Sequence, residues 1–492
     1  MNNMDTAVKL APDTVDTRYD GLNQQEVAGK KVDAAVKLAY RAVETRYEDL
    51  TQQEVLATKH SILDTLGVLL AGTTLGPKVK EIVEFVKESG GREEATILGF
   101  GGKVPAMMAA YANGATVHSL DFDDTHDPST LHPTASCLPA ALAVMEKLGG
   151  KTGKDLITAV AVGNDVVSRM GYAAPTGISE AGLLAPMTFG YFGSAVSAGK
   201  ILGLTKDQMV GCMGLAYTQV SGSGQHFVEG GSDVRLIYQS FNNKAGVLSA
   251  LLTQKGIEGG GRNALEGEYG FYDLFFRGKY EPKYVDVKKG DRYEGTSVSI
   301  KPYPSCRQTH PYIDATRALI TKHDITPQRV ARVELKVGTL GKHLCLPEQS
   351  RKRPTLTSDA KFSVPYPVAA CLVYGKIDLA SFLTDKLANP EVLAMVDKVQ
   401  WVFDEEISRS VGVEPAIVTI HTTNGKSFTE RVNNALGSPE NPMSEAELIA
   451  KFRDCASYAI SKMSKKSVDR AIELCLNLEQ TADISELVDV LT

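Results

Sequence analysis

The sequence lacks the cysteine pattern of a disulfide-stabilised or zinc-binding protein. Its seven cysteines are scattered between positions 137 and 475, none of them form a C-x-x-C pair, and their number is odd. Disulfide frameworks and structural zinc sites show paired, closely spaced cysteines, and unpaired thiols are typical of reducing compartments. We therefore expect reduced thiols, no zinc site and a cytoplasmic location.

Long apolar runs and an excess of positive charge are lacking as well. No apolar run approaches the ~18 residues that a membrane span requires, and the polar N-terminal region has no signal-peptide core. The formal net charge is −6, which argues against nucleic acid or a membrane as a partner. At 492 residues, with 43% hydrophobic and 23% charged residues, the chain is expected to form two globular domains.

The first thirty residues duplicate the segment that follows them. AVKLAPDTVDTRYDGLNQQEV (residues 7–27) returns as AVKLAYRAVETRYEDLTQQEV (residues 35–55). Only the second copy continues into an apolar helical pattern, HSILDTLGVLLAG. Because a terminal segment without a docking face is usually mobile, we interpret residues 1–30 as a mobile, dispensable extension.

The spacing of apolar residues changes twice along the chain. Between residues 51 and 252 it has the i, i+3, i+4 pattern of helices. After Asp291 it becomes strand-like in five runs, with helices predicted between them at 310–323, 364–373 and 390–396. Those runs are TSVSIKPY, RVARVELKVG, VQWVFDEE, AIVTIHTT and KSFTERV, the last two joined by an Asn424-Gly425 hairpin turn. Since the pattern is helical again from Ser444, we predict a multihelical (all-α) main domain, residues 31–284 and 437–492, and a smaller α+β lid domain, residues 285–436.

A segment rich in histidine and aspartate lies between two of the predicted helices. HSLDFDDTHDPSTLHPTAS (residues 118–136) contains three histidines and four aspartates. Pro128 and Pro133 are incompatible with a continuous helix, so we expect a helix end, an irregular loop and a new helix start. Such loops often present functional side chains from a rigid frame. An acidic surface loop that caps two helices would have the same composition.

The D-F-D-D-T run and the His-Pro step after it resemble the signature loop of the MmgE/PrpD family. This family includes 2-methylcitrate dehydratase, cis-aconitate decarboxylase and iminodisuccinate epimerase. Further stretches resemble the family in the same order: GYFGSAVSAGKILGLT (190–205), DVRLIYQSFNNKAG (233–246), IKPYPSCRQTHPYIDA (300–315) and DAKFSVPYPVAACLVYGKIDLASF (359–382). The resemblance implies carbanion chemistry next to a carboxylate, without metal or cofactor, in a homodimer.

The resemblance also assigns roles to individual residues. Asp121, Thr125 and His132 match the aspartate, threonine and histidine of the family's site loop, and Lys301 matches a site lysine. His132 suits the proton-transfer role, because imidazole accepts and donates protons near neutral pH. Asp121 is expected to orient that imidazole or its own loop. Thr125 is expected to donate its hydroxyl to a carboxylate.

Three positions depart from the pattern of cis-aconitate decarboxylases. Leu184 stands where they have a histidine, Arg235 where they have a lysine, and Cys306 where they often have a histidine. A guanidinium binds carboxylates in a bidentate manner but stays charged and cannot act as a base. The change at position 235 therefore preserves anion binding and removes any proton transfer there.

Other residues in these stretches are further candidates. Arg307 is a possible carboxylate-binding cation beside Arg235 and Lys301, and His126 is the candidate replacement for the histidine missing at position 184. His118 is expected to be a satisfied core histidine and His310 to cap the helix that follows it. The clustered histidines and aspartates could also be read as metal ligands. Because the family needs no metal, we predict no metal site.

The resemblance favours a lyase that dehydrates a 2-methylcitrate-like polycarboxylate by removal of an α-proton. Alternatives are an epimerase or isomerase that works by proton transfer alone, and a decarboxylase of a cis-aconitate-like acid, which Leu184 and Arg235 weaken. A non-enzymatic relative is disfavoured, since it would have no reason to keep all four matching site residues. Because the protein's net charge repels a polycarboxylate, its binding requires a local cationic pocket.

Overall fold

The computed structural model describes residues 32–174, 181–228, 232–409 and 411–492. The duplicated extension, residues 1–30, lies outside these ranges, so its dispensability stays a prediction. Within the described residues the fold is mainly helical, with a small sheet region. All seven cysteines are free thiols.

A bundle of helices makes up the first half of the chain. These are α1 (Ala34–Glu44), α2 (Gln52–Leu75), α3 (Val79–Glu88), α4 (Ala106–His118), α5 (Pro133–Leu148), α6 (Gly153–Ala173), α7 (Ala185–Leu202), α8 (Lys206–Tyr217), α9 (Gln225–Val228), α10 (Val234–Gln254) and α11 (Phe271–Phe276). At its centre, α7 packs against α5, α6 and α10, and α4 packs against α10. Glycines permit this close approach. A Cβ atom on Gly163 would lie 2.0 Å from Ser197 Oγ, and one on Gly190 would lie 2.0 Å from Asn242 Nδ2.

A short hairpin interrupts the helices. Strands β1 (Ala95–Thr96) and β2 (Lys103–Val104) pair in an antiparallel manner. The prediction of an all-α main domain missed it, because two residues per strand are too few to show an alternating pattern.

The second part of the chain contains a four-stranded sheet and short helices. Its elements are α12 (His310–His323), β3 (Val330–Val337), α13 (Thr339–His343), α14 (Glu348–Lys352), α15 (Thr357–Lys361), α16 (Pro365–Tyr374), α17 (Thr384–Leu387), α18 (Pro390–Val396), β4 (Val399–Phe403), β5 (Ala416–Thr422) and β6 (Ser427–Val432). The strand order is β4-β3-β5-β6, with β4 parallel to β3 and the other pairs antiparallel. Every second residue of β5 is buried, as expected for a sheet with one face in the core.

Four of the five predicted strand runs form strands, and the predicted Asn424-Gly425 turn joins β5 to β6. The run TSVSIKPY does not join the sheet. Its first two residues lie in a 3₁₀ turn at Glu294–Ser297, and Ser299 forms an isolated bridge with Thr125. The two backbone hydrogen bonds of this bridge, 2.7 and 2.8 Å long, use the groups that a sheet would need. This segment therefore connects the sheet-containing part to the loop rich in histidine and aspartate.

The last helices are α19 (Glu445–Ser457), α20 (Lys465–Leu476) and α21 (Ser485–Val490). Residues of all three belong to the hydrophobic cluster that the first-half helices form, and α19 packs along α2. A separate cluster fills the space between the sheet and its helices.

Helix α2 has the length and composition of a membrane span, with a mean hydropathy of 1.2 in its most apolar window. However, 83% of that window is buried within the protein. Polar residues interrupt its apolar pattern, which is why no long apolar run is seen in the sequence. Two of them have partners on the final helical segment: Lys59 pairs with Glu479, and Asp64 pairs with Lys451.

Candidate functional site

The loop between α4 and α5 lies in the interior of the protein. As predicted, one helix ends at His118 and the next begins at Pro133. The side chains of Asp121, Asp123 and Asp124 are all buried. An acidic surface loop is therefore excluded, and the cost of burying these carboxylates must be offset by specific partners.

Asp123 is the carboxylate that holds the two histidines of the site. Both of its oxygens lie 3.0 Å from His118 Nδ1, and one lies 3.3 Å from His132 Nδ1. His132 Nδ1 also donates to the carbonyl oxygen of Asp124 at 2.8 Å. This contact places the ring proton on Nδ1 and leaves Nε2 as the atom that can exchange protons with a substrate.

The same contacts set the proton affinities of the three groups. Burial opposes ionisation of Asp123, but the two imidazoles hold its pKa well below the ordinary value. Burial also disfavours a charged His132, yet Asp123 raises the pKa of His132 above its ordinary value. For His118 burial outweighs Asp123, and its pKa is lowered. One imidazole is thus tuned to accept a proton beside a second that stays neutral.

The side chain that contacts the His132 imidazole is Asp123 and not Asp121, and a role of Asp121 in orienting its own loop stays a prediction. Asp121 instead accepts a hydrogen bond from Lys301 Nζ at 2.8 Å, in a pair that is nearly inaccessible to solvent. Its backbone adopts φ 51°, a left-handed conformation that is uncommon outside glycine. This turn reverses the directions of neighbouring side chains, so sequence spacing alone could not tell which aspartate faces His132.

Three buried lysines bind three successive backbone carbonyls of this loop. Lys361 donates to Leu120 O, Lys301 to Asp121 O at 3.0 Å, and Lys451 to Phe122 O at 2.9 Å. We call them the carbonyl-binding lysines. They come from the end of α15, from the segment after the Ser299 bridge, and from α19. The sequence analysis missed Lys361 and Lys451. The only signal for them is a lysine within an otherwise apolar stretch, in DAKFSVPYP and ELIAKF.

Arg235 approaches the same region from the start of α10. Its guanidinium lies 3.4 Å from the centre of the Phe362 ring, and Phe362 directly follows Lys361. Burial lowers the pKa of Arg235, whereas the charge of Asp121 raises it. Cys306 donates its backbone N–H to the Lys361 carbonyl at 3.0 Å. Three cationic side chains therefore surround the segment around Asp121: Arg235, Lys301 and Lys361.

Thr125 supplies a hydroxyl beside these groups. Its backbone forms the bridge to Ser299, which fixes its position. Its Oγ1 is buried and has no hydrogen-bond partner among the described residues. A buried hydroxyl left without a partner is costly and suits an incoming acceptor such as a carboxylate.

The contacts of His126 differ from those of the other site residues. Its Nδ1 lies 2.5 Å from Ser129 Oγ, and its Nε2 lies 3.6 Å from Glu294. The prediction that it replaces the missing histidine is therefore unsupported.

Leu184, the residue at the position of the missing histidine, lies in an apolar cluster with Tyr238. The Tyr238 ring packs 4.4 Å from that of His118, so this tyrosine, which the sequence analysis missed, closes that side of the site.

Arg307 is not positioned as a substrate-binding cation. Its guanidinium donates to Asp127, to the carbonyls of Ala435 and Leu436, and to His310 Nδ1. These contacts use four of its five N–H groups, which corrects the prediction. His310, expected to cap α12, instead donates from Nε2 to the Ser305 carbonyl. Both residues fix the segment that carries Lys301.

His118, Asp123 and His132 offer ligand atoms that lie within 4.8 Å of one another, an arrangement that could hold a metal ion. The same atoms already serve the hydrogen bonds described above. In particular, His132 Nδ1 donates to Asp124 O, whereas a metal would need that nitrogen without its proton. The hydrogen bonds account for the cluster, and the absence of a metal site stays a prediction.

Comparison with known proteins places this site in a family. Residues 36–283 match the MmgE/PrpD N-terminal domain, and residues 303–478 match the MmgE/PrpD C-terminal domain. The chain belongs to the MmgE/PrpD family. The resemblance seen in the sequence is thereby confirmed, and the match begins within the second copy of the N-terminal repeat.

Several members of the family with curated names are similar to this chain over most of its length. Cis-aconitate decarboxylase of Aspergillus terreus is 28% identical over 456 residues, which cover 88% of this chain and 90% of the relative. Cis-aconitate decarboxylase of Homo sapiens is 28% identical over 448 residues, 88% of this chain and 89% of the relative. A cis-aconitate decarboxylase-like protein oryM of Aspergillus oryzae is 24% identical over 457 residues, 88% and 92% of the two chains.

Replacing Asp124 with asparagine is expected to change how stability depends on pH. Burial, reinforced by Asp64 and Asp123, raises the pKa of Asp124 to about 7, and burial raises that of Asp64 to about 6. The folded state therefore retains protons that the unfolded state releases, so these groups make stability fall as pH rises from about 4 to about 7. The neutral amide of the variant would remove one such contribution, on the order of a few kcal/mol above neutral pH.

The measurement is the melting temperature of wild type and Asp124→Asn between about pH 4 and pH 8. The variant should melt higher than wild type at the alkaline end, and the difference should vanish at the acidic end. An identical difference at both ends would show that Asp124 is ionised throughout.

Proposed function

We propose that the protein is a lyase that acts on a small polycarboxylate, and that it dehydrates a 2-methylcitrate-like tertiary alcohol. The observation that carries the proposal is the meeting of Arg235, Lys301 and Lys361 with the proton-accepting pair of His132 and Asp123. The protein has a net charge of −6, yet three cationic side chains lie together at one buried loop. Such a group attracts a polycarboxylate and stabilises the negative charge that forms when its α-carbon loses a proton.

His132 is the group that moves the proton. In its neutral form Nε2 removes the proton from the carbon next to a carboxylate, and Asp123 stabilises the imidazolium that results. The electron pair left on carbon forms the new double bond as the hydroxyl group departs. The departing hydroxyl takes up the proton that the His132 imidazolium holds and leaves as water, so the substrate loses one water molecule and His132 returns to its neutral form. Thr125 is placed to donate its hydroxyl to a substrate carboxylate.

Decarboxylation of a cis-aconitate-like acid is the second candidate, since the relatives named above are cis-aconitate decarboxylases. In that reaction His132 would deliver a proton to the carbanion left by carbon dioxide. Leu184 and Arg235 stand where the resemblance leads us to expect a histidine and a lysine. Leu184, which packs in an apolar cluster with Tyr238, cannot itself donate a proton as the histidine would, so we favour dehydration.

The test is to incubate the purified protein with tricarboxylates, alkylcitrates and aminodicarboxylates in D₂O. Dehydration gives an alkene that absorbs in the ultraviolet, decarboxylation releases carbon dioxide, and epimerisation gives deuterium incorporation alone. We expect alkene formation with an alkylcitrate, and a much slower reaction with a His132→Gln variant that is purified in the same way. If no substrate reacts faster with wild type than with that variant, the lyase proposal fails.

Replacing Arg235 with alanine is expected to raise KM about tenfold or more with a smaller effect on kcat. The reason is that a cation which binds a carboxylate equally in the ground state and the transition state contributes mainly to binding. Arg235→Lys is the matched control, because it retains the charge but not the planar fork. Steady-state kinetics on the best substrate of the panel measures both. A loss confined to kcat would place Arg235 in the chemical step instead.

We further propose a cytoplasmic homodimer. The family resemblance supports the dimer. Sedimentation at micromolar concentration should give twice the chain mass of 52.9 kDa. A mass near one chain would contradict the dimer.

A further inference from the structure

The three carbonyl-binding lysines differ in one respect. Lys301 pairs with Asp121 at 2.8 Å, and Lys451 pairs with Asp64 at 2.5 Å. Lys361 is just as buried, with a relative exposure of 4%, but within the described ranges no carboxylate lies at ion-pair distance from it. Within those ranges the only hydrogen bond of its ammonium group is to the Leu120 carbonyl. An ammonium has three N–H donors, so two of them have no acceptor in the described structure.

A buried ammonium without a counter-ion is costly, and proteins seldom keep one unless it serves a purpose. The charges that face Lys361 do not remove this cost. Asp121 and Asp123 favour its charged form, while Lys301 opposes it and Asp121 is already bonded to Lys301. Burial is the dominant influence and lowers the pKa of Lys361 to about 8. A carboxylate brought in by a ligand would supply the missing counter-ion.

The surroundings of Lys361 place it beside the other substrate-binding candidates. Its own carbonyl accepts the backbone N–H of Cys306, and the next residue, Phe362, carries the Arg235 guanidinium on its ring. The Leu120 carbonyl that it binds directly precedes Asp121, the partner of Lys301. The Lys361 ammonium also interacts with the charges of Asp121 and Lys301, so a ligand bound by Arg235 and Lys301 would lie close to it.

We propose that Lys361 binds one carboxylate of the substrate and makes the site select a tricarboxylate over a dicarboxylate. This inference rests on the proposed function, because it takes the loop between α4 and α5 as a polycarboxylate site. It adds the residue that recognises the third carboxylate and the selectivity that this residue confers. Binding a carboxylate stabilises the charged ammonium, so at alkaline pH the amine of Lys361 takes up a proton when a tricarboxylate binds.

The experiment is calorimetric titration of the full chain with two probes that differ by one group. Propane-1,2,3-tricarboxylate has three carboxylates, and glutarate has the same carbon backbone without the central one. Titrations at about pH 8.5 in two buffers of different ionisation enthalpy give both the Kd and the number of protons taken up. This pH is above the pKa of Lys361, which burial lowers to about 8. In much of the free protein the Lys361 amine is therefore neutral before the ligand binds.

For wild type we expect tighter binding of the tricarboxylate and proton uptake with that probe alone. Lys361→Met should weaken tricarboxylate binding about tenfold or more and change glutarate binding less than about twofold, since a charge-assisted hydrogen bond is lost with the first probe only. Lys361→Arg should retain tricarboxylate binding without proton uptake, because arginine is always charged. The Lys361→Arg variant also tests the inference if Lys361→Met fails to fold.

Lys200→Met is the matched control. Burial lowers the pKa of Lys200 to about 8 as well, and its Nζ binds the carbonyls of Val43 and Thr45, away from this loop. It should leave both affinities and the proton uptake unchanged.

The possible failures are distinguishable. If wild type binds neither probe, the polycarboxylate site itself is wrong, and the inference falls with it. If wild type binds both probes but Lys361→Met binds the tricarboxylate as tightly, the role of Lys361 alone is wrong. An equal loss for the two probes would refute its selectivity, and unchanged proton uptake in Lys361→Arg would assign the proton to another group.

Discussion

Replacing His132 with glutamine is expected to lower kcat by about 10²–10⁴-fold, the usual contribution of a general acid–base group. A glutamine amide can still donate to the Asp124 carbonyl, the partner of His132 Nδ1 at 2.8 Å, so the loop should keep its shape. It cannot accept a proton, and this is the property that is removed. Steady-state kinetics on the best substrate of the panel measures the effect, and a thermal melt verifies the fold.

His126→Gln is the matched control, since it makes the same change six residues earlier in the same loop. His126 is bound to Ser129 and lies near Glu294, so its replacement should preserve most of kcat. Equal losses in the two variants would indicate a general effect on the loop. If His132→Gln retains most of its activity, the base is another residue, and His126 becomes the next to examine.

Replacing Lys301 with methionine is expected to destabilise the protein by about 3–5 kcal/mol, the usual cost of removing one partner of a buried ion pair. Asp121 would be left as an uncompensated buried carboxylate, and its carbonyl would lose a donor. Denaturant unfolding followed by circular dichroism measures the loss. The double variant Asp121→Asn/Lys301→Met should recover part of it, because it removes the stranded charge.

Lys59→Met is the control for the Lys301 experiment. Lys59 also pairs with a carboxylate and a carbonyl, those of Glu479 and Leu476, but Glu479 is partly exposed. Because Glu479 stays partly solvated after Lys59 is removed, less charge is left uncompensated and the loss should be smaller. A similar loss in the two variants would show that the Asp121–Lys301 pair is not unusually important.

Much of the site's framework could be predicted from the sequence because it depends on local patterns. The helix ends around the loop follow from Pro128 and Pro133, and the β5–β6 hairpin follows from alternation around Asn424-Gly425. The choice between Asp121 and Asp123 as the partner of His132 could not be predicted. It depends on the left-handed backbone conformation of Asp121. Such a conformation is not predicted from the sequence at a residue other than glycine.

The distant contacts were beyond prediction for a related reason. Lys361 and Lys451 act on the loop from more than two hundred positions away, and a single lysine in an apolar stretch resembles a surface lysine that happens to flank a core. The segment TSVSIKPY has the residue types of a strand, but its hydrogen-bonding groups are used by Thr125. In each case a partner that is distant in sequence determines the role or the conformation of the segment. The local pattern of residues carries no information about that partner.

The order of the carbonyl-binding lysines along the chain has a consequence for biosynthesis. The loop emerges from the ribosome first, and its donors follow one at a time, at positions 301, 361 and 451. Until α19 is translated, the Phe122 carbonyl and Asp64 lack the ammonium that both contact in the finished protein. A nascent chain halted before that helix could complete the sheet but would leave the loop unsatisfied. The loop between α4 and α5 is therefore synthesised well before the last residue that fixes its position.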